Sequence, residues 1–297
     1  KDGNNCTANV DYVVRPQLQL SPSLDKALDC NLPTPNAAVK VEAIGGAGVG
    51  SYTYTITAGP VVNTTGATTG IFTGLDAGNY TFEVNDGACT ATATFTIDPI
   101  PTTILAAPTV TNVSCNGGFD GTITVNVTSG EGPYEYSLTD GVTTTPFQTS
   151  NQFTGLPAGT TYVVTVRNAK QCTLASSPIT IAEPSALFAS SLLTTKLSCG
   201  AGNVAQTATV TVTGIDGTAP YEYSFDNGTS YSTTNTYQSN VGITFDVLVK
   251  DAKGCVYTLS NGVNIPALVP PTNMDINGTP VYCLPVSSQT STVTITT

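Results

Sequence analysis

The chain has no histidine, one methionine and nine lysines and arginines in 297 residues. Without histidine there is no Ser-His-Asp or Cys-His nucleophile. No C-x-x-C pair is present either, which argues against zinc. The few basic residues are scattered against twenty acidic ones, giving a net charge of −11. That balance supplies no clustered cationic footprint for nucleic acid and no attraction to an anionic membrane surface. No apolar run approaches the ~20 residues that span a bilayer. Charged residues make up only 10% of the chain, so its exterior has to be built from Thr, Ser, Asn and Gly. The chain begins at Lys1 with no signal peptide, and its only methionine is Met274. It reads as an internal piece of something longer.

What is present is periodic. Cys30, Cys115, Cys199 and Cys283 follow one another in steps of 85, 84 and 84, and Cys6, Cys89, Cys172 and Cys255 in steps of 83. A constant period of this length marks a tandem array of small domains. K-D-G-N-N-C at 1–6 matches K-D-A-K-G-C at 250–255. The expected organisation is the tail of a preceding repeat (1–16), three repeats (17–100, 101–184 and 185–267) and the head of a following one (268–297). Short Pro-containing linkers near 99–101, 184–186 and 266–271 resist strand pairing. They predict a stiff rod on the order of 120–150 Å, at ~3.3 Å per strand residue.

Within a repeat the pattern is that of strands. Thr122 to Thr128 alternates Thr and Asn with Ile and Val, the period of a half-buried strand, and branched Cβ atoms favour the pleated surface. The second repeat parses as about seven strands, at 104–114, 121–128, 133–138, 143–147, 151–154, 160–167 and 173–182. Short strands broken by Gly, Asn, Asp and Pro turns predict an all-β, immunoglobulin-like antiparallel sandwich. Ser23 to Asp29 is the nearest approach to a helix, of two turns at most.

Each candidate site has a structural reading. Tyr52 and Tyr54, Tyr134 and Tyr136, and Tyr221 and Tyr223 share a face with Ile56, Leu138 and Phe225, so the tyrosines are expected inside, their hydroxyls reaching an edge partner. No exposed aromatic recurs at matching loop positions. Asp86-Gly87, Asp120-Gly121 and Asp140-Gly141 could hold calcium at domain junctions, but Asp-Gly makes turns without a metal and no EF-hand run is present. G-G-A-G-V-G at 45–50 lacks the spacing of a phosphate loop. N-x-[ST] sequons at Asn63, Asn79, Asn112, Asn126, Asn227 and Asn277 follow from a Thr-rich composition. No catalytic residue, cofactor or metal ligand is expected.

The cysteines are therefore expected to form disulfides in an oxidising setting, extracellular, cell-surface or periplasmic. The simplest pairing closes each repeat: Cys30–Cys89, Cys115–Cys172 and Cys199–Cys255, with the partners of Cys6 and Cys283 elsewhere. In an immunoglobulin-like strand order those two cysteines fall at opposite poles, and neighbours would instead be stapled by Cys30–Cys172 and Cys115–Cys255. A third scheme crosses each linker, as in Cys89–Cys115.

The pattern S-C-x-G-G-x-x-G-T-I-T-V, P-Y-x-Y-S, G-L-x-A-G, V-x-V and a closing Cys resembles the SprB repeat of large cell-surface adhesins of gliding Bacteroidota. The second repeat carries nearly all of it, at Ser114–Val125, Pro133–Ser137, Gly155–Val166, Cys172 and Thr180–Pro184. The first keeps G-L-D-A-G-N-Y at 74–80 but reads Cys30-Asn31-Leu32-Pro33 at the double glycine, and the third has Asn240-Val241-Gly242-Ile243 in place of G-L-x-A-G. The resemblance implies export to the cell surface by type IX secretion and a part in adhesion, filament formation and gliding motility. The expected role is a stalk segment whose partners are neighbouring repeats of the same chain. The alternative is that the repeats themselves bind surface polysaccharide or other cell-surface proteins.

Overall fold

The computed structural model describes residues 3–7, 14–31, 33, 35–46, 52–201, 204–269, 275–278 and 293–296. Cys283, most of 268–297 and positions 47–50 of the glycine-rich loop lie outside the described residues. Among those described there is no α-helix, and the protein is a tandem array of immunoglobulin-like sandwiches.

The first repeat has six strands: β1 (Gln19–Lys26), β2 (Ala37–Ile44), β3 (Thr53–Ala58), β4 (Ile71–Leu75), β5 (Gly78–Asn85) and β6 (Thr90–Ile97). They form two antiparallel three-stranded sheets, ordered β1-β2-β4 and β3-β5-β6. Ser23 to Asp29, the nearest approach to a helix in the sequence, is strand through Lys26: Ser23 pairs with Lys40 and Leu24 with Val39. Pro22 and Ser23 are poor helix residues, and cross-strand pairing outweighs two turns of local propensity. Alternation on β5 sends Tyr80, Phe82 and Val84 inward, and Tyr80 and Phe82 share a core with Val39, Ile56, Phe72 and Leu75.

The second repeat supplies β7 (Ile104–Leu105), β8 (Thr109–Thr111), β9 (Gly121–Thr124), β10 (Val127–Ser129), β11 (Glu135–Thr139), β12 (Gln152–Leu156), β13 (Thr161–Arg167), β14 (Thr173–Ala175) and β15 (Ile179–Thr180). The strand expected over 121–128 is interrupted after Thr124: β9 pairs with β8 and β12, and β10 with β7. The expected strand at 143–147 is reduced to the isolated bridge Thr139–Thr144. Tyr162, Val164 and Val166 repeat the inward set of β5.

The third repeat contains β16 (Phe188–Thr195), β17 (Ser198–Cys199), β18 (Ala205–Gln206), β19 (Ala208–Ile215), β20 (Glu222–Ser224), β21 (Thr236–Ser239), β22 (Ile243–Lys250) and β23 (Val256–Ile265). Its sheets, β16-β19-β21 and β20-β22-β23, repeat the order of the first, and its core is built on Val210, Val212, Tyr223, Val247 and Val249. A further hairpin pairs β24 (Asp275–Gly278) with β25 (Val293–Thr296).

By compactness the chain divides into Lys1–Thr111 with Gly121–Ile181, and Asn112–Asp120 with Ala182–Thr297. These units cut across the sequence repeats. The Cys115 segment belongs with the second unit, where Val113 N–H donates to Ala182 O at 3.2 Å and Ala182 N–H to Asn112 Oδ1 at 3.0 Å.

Candidate functional site: the disulfide joint

Two disulfides form, Cys30–Cys172 and Cys115–Cys255, with Cα–Cα distances of 4.9 and 5.6 Å. The within-repeat pairs Cys30–Cys89, Cys115–Cys172 and Cys199–Cys255 are therefore not made, nor is the linker-crossing Cys89–Cys115. The reason is visible in the first repeat. Ala37, just past the β1–β2 corner that carries Cys30, pairs with Leu75 at the end of β4. The chain then crosses to Gly78 and runs the eight residues of β5 away from that corner before reaching Cys89. At ~3.3 Å per residue the two cysteines stand about 26 Å apart, whereas a disulfide needs Cα atoms within about 7 Å. Strand order sends Cys30 and Cys115 each to a second cysteine one repeat on.

In all three repeats the second cysteine closes a turn held by one buried side chain, four residues ahead of it in the second and third repeats (Asn168, Asp251) and three in the first (Asp86). Asp86 Oδ1 accepts the N–H groups of Ala88 and Cys89 at 2.9 and 2.7 Å. Asn168 Oδ1 accepts those of Lys170 and Cys172 at 3.0 and 2.9 Å, and Asp251 Oδ1 those of Lys253 and Cys255, both at 2.9 Å. All three side chains are buried. A buried polar group is retained only with its partners satisfied, and here the partners are the backbone of the turn that aims the sulfur. Asp251 Oδ2 also accepts Thr218 N–H at 2.9 Å. Gly46 and Gly217 both sit at positive φ against Asp86 and Asp251 respectively, where a Cβ would strike the carboxylate. Asn168 departs from this arrangement, because its Nδ2 is buried with no hydrogen-bond partner.

The first-cysteine segments are held differently. Around Cys30, the Asn36 amide exchanges hydrogen bonds with Asp29 at 2.8–3.2 Å, and Cys30 N–H donates to Lys170 O at 2.8 Å. Around Cys115, Asp120 Oδ1 accepts Ser114 N–H at 2.9 Å. Asn116 Nδ2 donates to Pro184 O at 3.1 Å and Gly117 N–H to Glu183 Oε2 at 2.8 Å. The hydrogen bonds from Ser114 hold the Asp120 carboxyl below the usual carboxylate range.

The acidic turns considered for calcium are engaged in this way. Asp86 and Asp120 organise the cysteine turns, and Asp140 Oδ1 accepts Val142 and Thr143 N–H at 2.9 and 2.6 Å. The Y-x-Y tyrosines face inward: Tyr136 and Tyr223 are buried, while the Tyr52 and Tyr221 hydroxyls donate to Gly45 O and Asp216 O at 2.8 and 2.7 Å.

Two features escaped the sequence reading. Tyr80 Oη exchanges hydrogen bonds with the backbone of Asp76, both at 3.0 Å, and Tyr162 Oη donates to Pro157 O at 3.0 Å. This is a tyrosine corner, and its signal is the Tyr that follows G-L-x-A-G after one residue in the first repeat and two in the second. The other feature is a recurring aromatic. Arg167 lies over Phe147 at 4.0 Å while pairing with Glu135, and Lys250 lies over Tyr231 at 4.3 Å while pairing with Glu222, each salt bridge 2.6 Å long. Phe147 and Tyr231 recur at matching positions in the second and third repeats, and neither is an exposed loop aromatic. Each ring is half-buried with a cation on its face, so it braces the strand pair.

Fold and joint together define a tandem-repeat protein of disulfide-linked β-sandwiches. Within it, residues 107–143 match the SprB repeat. No curated protein matches the chain. Similar solved structures include three N-terminal domains of the outer capsid protein Hoc of bacteriophage RB49, at 13% identity and a TM-score of 0.38, covering 80% of this chain and 84% of that one. Titin domains A168–A170 give 12% identity and 0.28, covering 81% and 98%. The S-layer protein rSbsC(31–844) gives 14% and 0.29, covering 86% of this chain and 41% of that one.

Proposed function

We propose that this chain is a structural stalk segment of a secreted cell-surface adhesin, serving to transmit tension between a surface and a distal binding region. The observation that supports it most is the overlap of the two disulfides. Cys115 lies inside the loop closed by Cys30–Cys172, and Cys172 lies inside the loop closed by Cys115–Cys255. Pulled from its ends, the chain has a shortest covalent path that enters at Cys30, crosses to Cys172, returns to Cys115 and leaves at Cys255. The backbone between Cys30 and Cys115 and between Cys172 and Cys255 is relieved of tension, so those parts of the repeats can unfold without lengthening the protein.

The SprB-repeat match supports placement at the cell surface, where disulfides persist. Export by type IX secretion and participation in gliding belong to the same proposal, as do contacts with neighbouring repeats as the principal partners. No catalytic role is assigned: the buried carboxylates at the joint are occupied by backbone N–H groups.

Single-molecule pulling tests this. The oxidised chain is expected to give a total extension shorter than the reduced chain by on the order of 600 Å, at about 3.5 Å per shielded residue. Equal extensions with and without reductant would refute the mechanical reading.

A further inference from the structure

Cys89 and Cys199 are exposed thiols, yet each sits in the local frame of a bonded counterpart. Cys89 closes the Asp86 turn as Cys172 and Cys255 close theirs. Cys199 ends β17, at the corner between the first two long strands of its repeat, as Cys30 does in its own. The surface beside Cys89 is also shaped to receive something. An open groove of about 960 Å³ runs along it, lined by Val14, Pro16, Leu18, Cys89 and Ala91 among others. The corresponding turn in the second repeat is occupied. There Cys30 is bonded to Cys172 and donates its N–H to Lys170 O, while Leu24, Ala27 and Leu28 border a cleft shared with Lys170 and Glu131.

We infer that the Asp86–Cys89 turn is an open half of the same joint, whose occupant is the first-cysteine segment of another repeat of this kind, and that Cys199 is the complementary half. A second copy of this chain carries both halves, so two copies join head to tail through a Cys199–Cys89 disulfide. The oxidant is a low-molecular-weight disulfide. The Cys199 thiolate attacks it, releasing one small thiol and leaving a mixed disulfide. The Cys89 thiolate then attacks the Cys199 sulfur and displaces the second small thiol. Two protein thiols lose two protons and two electrons, and the small disulfide becomes two thiols. The inference rests on the joint described under Proposed function and extends it from within the chain to between chains.

The test uses the full 297-residue chain carrying Cys6→Ser and Cys283→Ser, prepared with either Cys89→Ser or Cys199→Ser in addition. Each form is oxidised with glutathione disulfide, alone and mixed with the other. The expected result is a covalent dimer in the mixture whose digest contains the Cys89–Cys199 peptide pair, and loss of that dimer in either form alone. Dimers of either form alone that match the mixture would show general thiol reactivity and overturn the inference, as would a mixture that stays monomeric. The Cys30–Cys172 and Cys115–Cys255 peptides in the same digests report separately on the joint. Their absence would sink the proposed function, whereas their presence without the Cys89–Cys199 pair would sink the inference alone.

Discussion

The first and third repeats share a strand order but differ in what holds it. The first packs Phe72 against Phe82 with ring centroids 5.3 Å apart and Tyr80 against Phe82 at 6.0 Å, and it ties its β4–β5 corner with the Tyr80 hydroxyl. The third has lost G-L-x-A-G, places Phe245 where a corner tyrosine stands, and packs it edge-on to Tyr237 at 5.0 Å. Its core strand carries Val247 in place of Phe82 and keeps a valine, Val249, in the place of Val84. What the two repeats keep in common is the buried Asp whose carboxylate shapes the turn before the second cysteine. The corner can be dispensed with because it stabilises one sandwich. The Asp turn is retained where the chain must deliver a sulfur to a neighbouring repeat.

The largest way to break that comparison is to remove a joint. Cys30→Ser with Cys172→Ser opens a loop of sequence separation 142, and Cys115→Ser with Cys255→Ser one of 140. The chain-entropy limit for loops of that size is about 5 kcal/mol. Each double variant is expected to lower the denaturation midpoint of its own unit, as read by hydrogen exchange of β13 or β22 amides. A uniform effect on both units would show that the joints do not act locally.

Asp251→Ala is next. It leaves the N–H groups of Lys253, Cys255 and Thr218 without their acceptor, at a cost of about 1–3 kcal/mol for the buried group most strongly desolvated. It should also slow formation of the Cys115–Cys255 bond during oxidative refolding. The reverse change in the second repeat, Asn168→Asp, replaces an unpartnered Nδ2 with an acceptor and is expected to raise the first unit's denaturation midpoint. A fall instead would mean that the buried charge outweighs the relieved donor.

Tyr80→Phe, which removes the corner hydroxyl and little else, should cost about 1 kcal/mol. Phe245→Tyr should recover nothing in the third repeat, because the G-L-x-A-G turn is absent. The smallest effect is one of pH. Hydrogen bonds from the Ser230 hydroxyl and amide and the Ser224 hydroxyl hold the Asp226 carboxyl at about 2, below the ordinary 3.9 of an unfolded aspartate. A carboxyl depressed on folding stabilises the fold when charged. Its contribution is fully present above about pH 4 and is lost as pH falls through about 2. Asp226→Asn should flatten that part of an acid-unfolding curve, and an unchanged curve would remove Asp226 from the account.

Much of the repeat was legible in advance. The cysteine phases, the alternation that buries Val39 and Val41, Ile123 and Val125, and Val210 and Val212, and the inward tyrosines are all local patterns that a two-residue period exposes. The failures have a common physical origin. The stretch 121–128 alternates throughout, yet it changes partners after Thr124, from β8 and β12 to β7. The strand expected at 143–147 has suitable residues but only one bridging partner there. Phe147 and Tyr231 lie 84 positions apart, a spacing the sequence displayed, but only packing puts Arg167 and Lys250 on their faces.

Composition, period and residue type were enough to establish an all-β tandem array, a neutral polar exterior and cysteines placed for disulfides, because each depends on local or repeated properties of the chain. Which cysteine meets which was decided by tertiary structure alone. Sequence distance favoured Cys30–Cys89 and Cys115–Cys172, but a strand of eight residues in the first repeat and seven in the second holds the two ends of each sandwich about 23–26 Å apart, and a bond of fixed geometry can form only with the repeat next door.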